Sequence, residues 1–186
     1  LATEHLLDLG HETVWHLSGP PESFAAERRR DAWRSALEDR GCRVPEVQIG
    51  DWTADSGHRI GQALAQDPAV TAVFAANDQM ALGVIRALHE AGRVVPRDVS
   101  VVGFDDMPEA ANFWPPLTTV RQPFADVGRR AVDTLLTEIT LGARPSETWI
   151  CTWRSMVNTK PSRLLPMMGS SLASRSCAWD EACAQF

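Results

Sequence analysis

The stretch VSVVGFDDMPEA, residues 99–110, runs from an apolar, β-favouring segment directly into two adjacent carboxylates. Val and Phe are enriched in strands, so Val99 to Phe104 is predicted to form a buried strand. Asp105 and Asp106 then stand at its carboxyl end. Acids in that position can close a turn, cap a helix, hold a metal, perform acid–base chemistry or bind a ligand. The rest of the sequence is needed to distinguish these uses.

Short apolar runs alternate with amphipathic segments along residues 1–142, which is typical of a doubly wound parallel α/β sheet with helices on both faces. GDWTADSG, residues 50–57, and the segment around Pro115-Pro116 are predicted to be loops. The predicted strands are Thr13 to Leu17, Val44 to Ile49, 69–76 and Val99 to Phe104. Three predicted helices have clear bounds, namely Leu1 to Leu9, Asp78 to Ala91 and Phe124 to Leu141. A fourth helix is capped by Ser23 and has Phe24, Ala32, Trp33, Ala36 and Leu37 on its apolar face. A fifth helix carries Ile60, Ala63 and Leu64 on one face.

The composition of the chain argues against DNA binding by this chain alone, against a membrane-spanning segment and against a cysteine metal or redox site. The chain has 186 residues and a net charge of −6, and an acidic chain is a poor binder of duplex DNA by itself. It contains no apolar run near the roughly 20 residues that span a bilayer. The four cysteines match no zinc or redox spacing, so we expect free thiols in a reducing cytoplasm. Because the chain opens with Leu1 inside an apparent helix, we expect it to be a fragment of a longer protein.

The predicted sheet brings four polar or aromatic residues to one edge. Ligands of open α/β sheets bind in the crevice beyond the carboxyl ends of the strands, and Arg29, Trp52, Asn77 and Asp105 all follow predicted strands. Together they could hydrogen-bond a polyhydroxylated molecule and stack on its apolar face. Each also has a simpler interpretation: Asn77 or Asp78 as a helix cap, Trp52 as a core anchor, and Arg29 as an exposed charge.

The segment TAVFAANDQMALGVIRALHEAGRVVPRDVSVVGFDDMPEAANFWPPLTTVRQPFADVGRRAVDTLL, residues 71–136, resembles the LacI/GalR family of bacterial transcription regulators. The resemblance extends back through GDWTADSG and EHLLDLGH and covers about residues 1–145. The Trp of GDW and the ANDQMALG segment are most similar to the lactose-repressor branch. The chain is therefore identified as a member of this family.

The resemblance implies a two-subdomain effector-binding core shaped like periplasmic sugar-binding proteins. Residues 1–122 would form most of the C-terminal subdomain, and residues 123–148 would cross the hinge and supply a helix of the N-terminal subdomain. Operator DNA would be bound only through a helix-turn-helix headpiece outside this chain. Residues 149–186 depart from the family pattern, and we expect this tail to be partly disordered.

The resemblance also implies roles for particular residues. Arg29 would grip sugar hydroxyls, although Ala32 stands where the family pattern has Gly. Asp105, held at a strand end, would accept hydrogen bonds from a diol, while Asp106 would point elsewhere and organise the turn. The full set of expected ligand-binding residues is Arg29, Trp52, Asn77, Asp105, Gln122 and Phe124.

The leading functional hypothesis is ligand-gated regulation, in which a sugar or related metabolite closes the cleft and changes operator affinity. A homodimer is expected to pair through residues 78–91 and 55–65, with Met80 and Val84 either in that interface or in the core. No cofactor, metal or membrane contact is expected. One alternative is a periplasmic solute-binding protein of the same fold. Another is an enzyme using Asp105 and Asp106, although neighbouring side chains at a strand end normally diverge.

Overall fold

The computed structural model describes residues 1–141 and the short strand at 157–158. Helices and strands alternate along this part of the chain, with one short 3-10 helix after the fourth strand. The helices are α1 (Ala2–Asp8), α2 (Phe24–Asp39), α3 (Ala54–Gln66), α4 (Asp78–Glu90) and α5 (Phe124–Leu141), and the 3-10 helix is Pro108–Asn112. The strands are β1 (Trp15–Ser18), β2 (Gln48–Ile49), β3 (Ala72–Ala75), β4 (Ser100–Asp105), β5 (Thr118–Arg121) and β6 (Val157–Asn158).

These strands form one sheet in the order β2-β1-β3-β4-β5-β6, so the doubly wound α/β fold is confirmed. Strands β1 to β5 pair in parallel, and β6 pairs antiparallel with β5. From β1 the chain winds first to β2 and then back to β3 on the other side, which makes the β1–β3 boundary the topological switch point. In the β4–β5 ladder Asp105 lies opposite Arg121, so Gln122 follows beside the end of β4.

The sheet separates two hydrophobic cores, and alternate strand residues point into opposite ones. In β3, Val73 lies in the core shared with α3 and α4, and Phe74 lies in the core shared with α1 and α2. The fully buried Trp33 and Leu37 of α2 belong to the second core. Because helices cover both faces, β3 is apolar along its whole length rather than alternating, and the other central strands, β1 and β4, are buried along most of theirs.

Helices α3 and α4 touch backbone to backbone through glycines. A Cβ added at Gly83 would lie 2.0 Å from the Ala54 carbonyl oxygen, and one at Gly57 would lie 2.2 Å from the Met80 carbonyl oxygen. The buried face of α3 consists of Ser56, Gly57, Gly61, Leu64 and Ala65. The expectation that Ala63 lies on the packed face is therefore wrong: this residue is exposed, because glycines rather than larger apolar residues make the contact.

Most predicted strands shift or shorten by one to three residues at their ends, and three larger differences from the sequence prediction concern residues 50–57, β2 and β5. Residues 50–57 are not all loop, since Thr53 Oγ1 accepts from Ser56 N at 3.1 Å and caps α3. Strand β2 covers only Gln48–Ile49 rather than all of 44–49. Strand β5 was not predicted at all, because its Thr-rich sequence directly follows Pro115-Pro116 and carries little apolar signal.

The apolar face predicted for α2 is only partly correct. Ser23 does cap the helix, with its Oγ accepting from Ala26 N at 3.4 Å. Phe24, however, is 70% exposed, and Ala32 is also exposed, because the face toward the sheet is set by Ala26, Trp33 and Leu37.

Met80 and Val84 of α4 are both fully buried in the α3–α4 core, so the core interpretation is correct for these two residues. On the same helix Leu82 is 40% exposed.

Within residues 1–141, none of the helices has the length and apolar character needed to cross a membrane. Cys42 carries a free thiol. Apart from Val157 and Asn158 of β6, the expectations for the tail at 149–186, including Cys151, Cys177 and Cys183, concern residues outside those the structure describes.

Candidate functional site

The Arg29 side chain crosses from α2 to the carboxyl ends of β3 and β4 and is only 15% exposed. Its Nη1 donates to the Ala76 carbonyl at 2.5 Å, and its Nη2 lies 3.7 Å from Asp105 Oδ1. Burial lowers the pKa of Arg29, and the Asp105 charge opposes that shift. An arginine so held stays protonated at neutral pH, so Arg29 brings a fixed positive charge and several donors to this edge.

Two aromatic rings lie close to this guanidinium. The Arg29 Cζ lies 3.7 Å from the Phe104 ring centroid and 5.6 Å from the Trp52 ring centroid, both within the range of cation–π attraction. The Trp52 indole packs on the loop after β1, where a Cβ at Gly19 would lie 2.2 Å from Trp52 Cζ2. A glycine at that position is therefore required for the indole to lie where it does.

Asn77 joins the Trp52 loop to α4. Its Oδ1 accepts from Met80 N at 2.9 Å as the helix cap, and its Nδ2 donates to the Trp52 carbonyl at 3.0 Å. The residue is 8% exposed. The cap interpretation is thus correct, and the amide keeps one N–H and one oxygen lone pair for other partners.

Asp105 is held from two sides. Gln122 Nε2 donates to its Oδ1 at 2.5 Å, and the same oxygen faces Arg29. Burial raises the pKa of Asp105, while the Gln122 hydrogen bond and the Arg29 charge act in the opposite direction. Among residues 1–141, no hydrogen bond to Asp105 Oδ2 is found, so this oxygen can accept from a ligand.

The Asp106 carboxylate pairs with Arg121 rather than with Arg29. The two neighbouring carboxylates therefore have different cationic partners. Phe124 begins α5 and is 62% exposed. It lies at an open cleft of about 640 Å³ that is lined by Asp105, Asp106, Met107, Pro108, Ala111, Arg121, Gln122 and Phe124.

Backbone strain is concentrated at this edge of the sheet. Among the described residues, positive φ angles at non-glycine positions occur at Trp52 (73°), Asp105 (115°) and Asp106 (55°). Such conformations cost on the order of 1–3 kcal/mol each and persist where the surroundings fix them, often at ligand-binding sites.

The contacts described above bring the expected residues Arg29, Trp52, Asn77 and Asp105 together on one edge of the sheet, with Gln122 in contact with Asp105.

Sequence reasoning missed the part played by Asp78, which it treated as a first-turn or capping acid. Asp78 is the first residue of α4, but it is 1% exposed and accepts from Thr119 Oγ1 and from Met107 N. Burial raises the pKa of Asp78 to about 6. Its partner Thr119 lies on β5, and because β5 is not predicted from the sequence, the contact is not predicted either. In residues 1–141, no cluster of His, Cys, Asp and Glu side chains could hold a metal ion.

Residues 3–156 match the family model described as a periplasmic binding protein-like domain. The chain belongs to this family. Its relatives are LacI-type repressors, as the sequence resemblance implied. The lactose operon repressor of Escherichia coli strain K12 is 42% identical over 137 residues, covering 73% of this chain and 38% of the repressor. The regulator CelR of Thermobifida fusca is 40% identical over 142 residues, covering 75% of this chain and 42% of CelR.

Solved structures agree with this assignment. The lac repressor dimer bound to operator and the anti-inducer ONPF matches 75% of this chain and 49% of its own at 40% identity, with a TM-score of 0.70. The complex of CelR with cellobiose matches 76% of this chain and 44% of its own at 39% identity, with a TM-score of 0.72. The chain spans roughly two fifths of the length of such curated relatives.

Proposed function

We propose that this chain is the effector-binding part of a LacI-type transcription regulator and that its ligand is a sugar or a related small metabolite. The convergence of Arg29, Trp52, Asn77 and Asp105 at the carboxyl edge of a parallel sheet carries the proposal. The names of the relatives support the ligand class, since they include lactose and ribose operon repressors and a cellobiose complex.

The site chemistry suits a polyhydroxylated ligand. Asp105 Oδ2 accepts from a sugar hydroxyl in a charge-assisted hydrogen bond, and Arg29 donates to another. Trp52 stacks on the apolar face of the ring. Asn77 offers its remaining N–H from the same edge. Gln122 and Phe124 approach from the other side of Asp105, at the start of α5.

The proposed regulation requires a second subdomain. In this proposal residues 1–122 form most of the C-terminal subdomain, and residues 123–148 cross the hinge and supply a helix of the N-terminal subdomain. The apolar side chains exposed on α5 support this arrangement, since such a surface needs a partner: they are Val127, Val132, Leu135, Leu136 and Ile139. Ligand binding closes the cleft, and the coupling to operator affinity is limited by the ligand's differential affinity for the two states.

We infer that the longer protein, called the parent repressor below, binds operator DNA through a headpiece outside this chain and acts as a homodimer in the bacterial cytoplasm. The similarity to operator-bound and dimeric lac repressor structures supports this inference. The exposed Leu82 of α4 is a candidate dimer contact. Repressor relatives favour the regulator over a periplasmic solute-binding protein. The separate partners of Asp105 and Asp106 argue against an acid–base pair and hence against a glycosidase.

Calorimetric titration of the parent repressor with a panel of mono- and disaccharides tests the proposal. We expect one sugar class to bind and to change operator affinity in a gel-shift assay. We expect Arg29→Ala to abolish the sugar response while leaving operator binding intact. Binding of no sugar in the panel, or turnover of a glycoside, would contradict the proposal.

A further inference from the structure

We propose that Asp78 is a positioning residue that fixes the backbone of residues 105–107 and thereby places the Asp105 carboxylate in the ligand site. The inference rests on the proposed function only for what Asp105 binds. Asp78 itself is buried behind the end of β4 and does not line the cleft beside Asp105. Its effect on a ligand is therefore indirect.

The two carboxylate oxygens of Asp78 have different donors. Oδ2 accepts from Met107 N at 2.9 Å, and Oδ1 accepts from Thr119 Oγ1 at 2.5 Å. Thr119 Oγ1 in turn accepts from Asp106 N at 3.3 Å. The consecutive amides of Asp106 and Met107 are therefore bound to one buried acceptor, the first through a hydroxyl and the second directly.

These two amides adjoin two of the three non-glycine residues with positive φ in the described chain. Asp105 and Asp106 have φ angles of 115° and 55°, which L residues rarely adopt. A strained conformation persists only where neighbouring contacts fix it. The Asp78–Thr119 pair provides such contacts immediately after Asp105, so releasing it lets the residue rotate away from Arg29.

Gly103 leaves the space that this carboxylate and the Leu117 side chain occupy. A Cβ at Gly103 would lie 2.3 Å from Asp78 Oδ1. The absence of a side chain in mid-strand therefore lets the carboxylate lie against β4 and reach Thr119 on β5. Glycine weakens a strand interior and often marks a close approach, which is what occurs here.

An amide at position 78 keeps both contacts only if the buried Thr119 hydroxyl gives up the carboxylate that it donates to. Both carboxylate oxygens of Asp78 are acceptors: Oδ2 accepts from the N–H of Met107, and Oδ1 accepts from the O–H of Thr119. Asn offers one oxygen and one NH₂ group. If the oxygen accepts from Met107 N, the NH₂ group faces the Thr119 O–H, and two donors meet unless Thr119 reverses its hydroxyl. With the hydroxyl reversed, Thr119 would accept from the amide in addition to Asp106.

Hydrogen exchange of the whole chain tests the positioning role without any ligand. In Asp78→Asn we expect the amides of Asp106 and Met107 to exchange at least about tenfold faster, with β1 and β3 unchanged. The matched control is Asp55→Asn, which changes an exposed acid in the first turn of α3 and should leave both amides protected. Unaltered protection at 106 and 107, or an equal loss across the sheet, overturns the inference.

A second variant covers the case in which Asp78→Asn fails to fold. Thr119→Val keeps the side-chain shape and removes only the hydroxyl that joins Asp78 to Asp106. We expect faster exchange at the Asp106 amide while Met107 N, which bonds Asp78 directly, stays protected. Loss at both amides together, or at neither, contradicts the proposed arrangement.

Sugar titration of the parent repressor separates this inference from the proposed function. We expect Asp78→Asn to weaken sugar binding about tenfold while operator binding without sugar is retained. If no sugar binds the wild type but the exchange result holds, the proposed function fails and the positioning role stands. If sugar binds equally well to wild type and Asp78→Asn, the positioning inference fails.

Discussion

Arg29 Nη2 lies 3.7 Å from Asp105 Oδ1, which links the middle of α2 to the end of β4 across the carboxyl edge of the sheet. The guanidinium is fixed there by the Ala76 carbonyl on one side and the Phe104 ring on the other. Because Arg29 is largely buried, it is pre-organised before any ligand arrives. This relationship leads to the first prediction.

Arg29→Lys should weaken sugar binding by the parent repressor at least about tenfold, since an ammonium cannot reach the Ala76 carbonyl and stack on Phe104 together. Calorimetry with the best sugar of the panel measures the loss. Arg34→Lys is the matched control, because Arg34 is an exposed residue of the same helix. Equal affinities of Arg29→Lys and wild type would show that the guanidinium is not a ligand contact.

The α3–α4 contact leads to a prediction about two mid-helix glycines. Gly83→Ala places a Cβ 2.0 Å from the Ala54 carbonyl oxygen, so we expect a loss of about 3 kcal/mol in the free energy of unfolding. Gly128→Ala in α5 meets nothing within 4 Å and should gain up to about 1 kcal/mol from helix propensity. Urea denaturation of both variants measures the difference, and a shared sign would contradict the proposed packing.

His16 should make the fold sensitive to acid. The ring is fully buried between Trp33 and Phe74, and burial lowers the pKa of His16 to about 4, assisted by the charges of Arg29 and Arg30. The neutral ring stabilises the fold above the ordinary His pKa of about 6.5, and this contribution is lost as the pH falls toward 4.

Replacement by an aromatic residue tests this dependence. His16→Phe keeps the stacking and has no charge to acquire, so its free energy of unfolding should fall less between pH 7 and 4 than that of the wild type. The difference should reach up to about 3 kcal/mol. Urea titrations at several pH values measure it. Parallel pH profiles would mean that His16 does not titrate in this window.

Asp78 should change the free energy of unfolding with pH in the direction opposite to His16. Its pKa in the fold, about 6, lies above the ordinary Asp value, because burial disfavours the charge and Asp105 adds repulsion. Between about pH 4 and 6 the folded state therefore binds more protons than the unfolded state. The stability from this group is fully present below pH 4 and is lost as the pH rises through 6.

Comparison with Asp78→Asn isolates that contribution. The wild type should gain free energy of unfolding relative to the variant as the pH is lowered from 7 to 4. Urea denaturation across that range measures the difference, with Asp55→Asn as a control that should follow the wild type. A difference independent of pH, or one that shrinks on acidification, contradicts the raised pKa.

The sequence predicts the alternation of strands and helices well because the buried parallel strands β1, β3 and β4 are mostly apolar and helix caps are local. Ser23 and the bounds of α5 were read correctly from such local signals. Arg29 and Asp105 could be placed on one edge because a parallel sheet brings its carboxyl ends together.

Features that depend on contacts between distant elements could not be predicted. Strand β5 has few apolar residues, so its pairing with β4 decides its structure. The glycines of α3 and α4 pack by having no side chain, which a hydrophobic pattern does not register. The buried role of Asp78 needs Thr119, which is 41 residues away in the chain.

The two adjacent acids provide the most direct test of the proposed ligand site. Calorimetric titration of the parent repressor with its sugar should compare Asp105→Asn, which alters the carboxylate facing Arg29, with Asp106→Asn, which alters the one paired with Arg121. We predict that Asp105→Asn loses about tenfold or more in affinity and that Asp106→Asn stays within about threefold of wild type. A loss confined to Asp106→Asn, or no loss in either variant, would contradict the account.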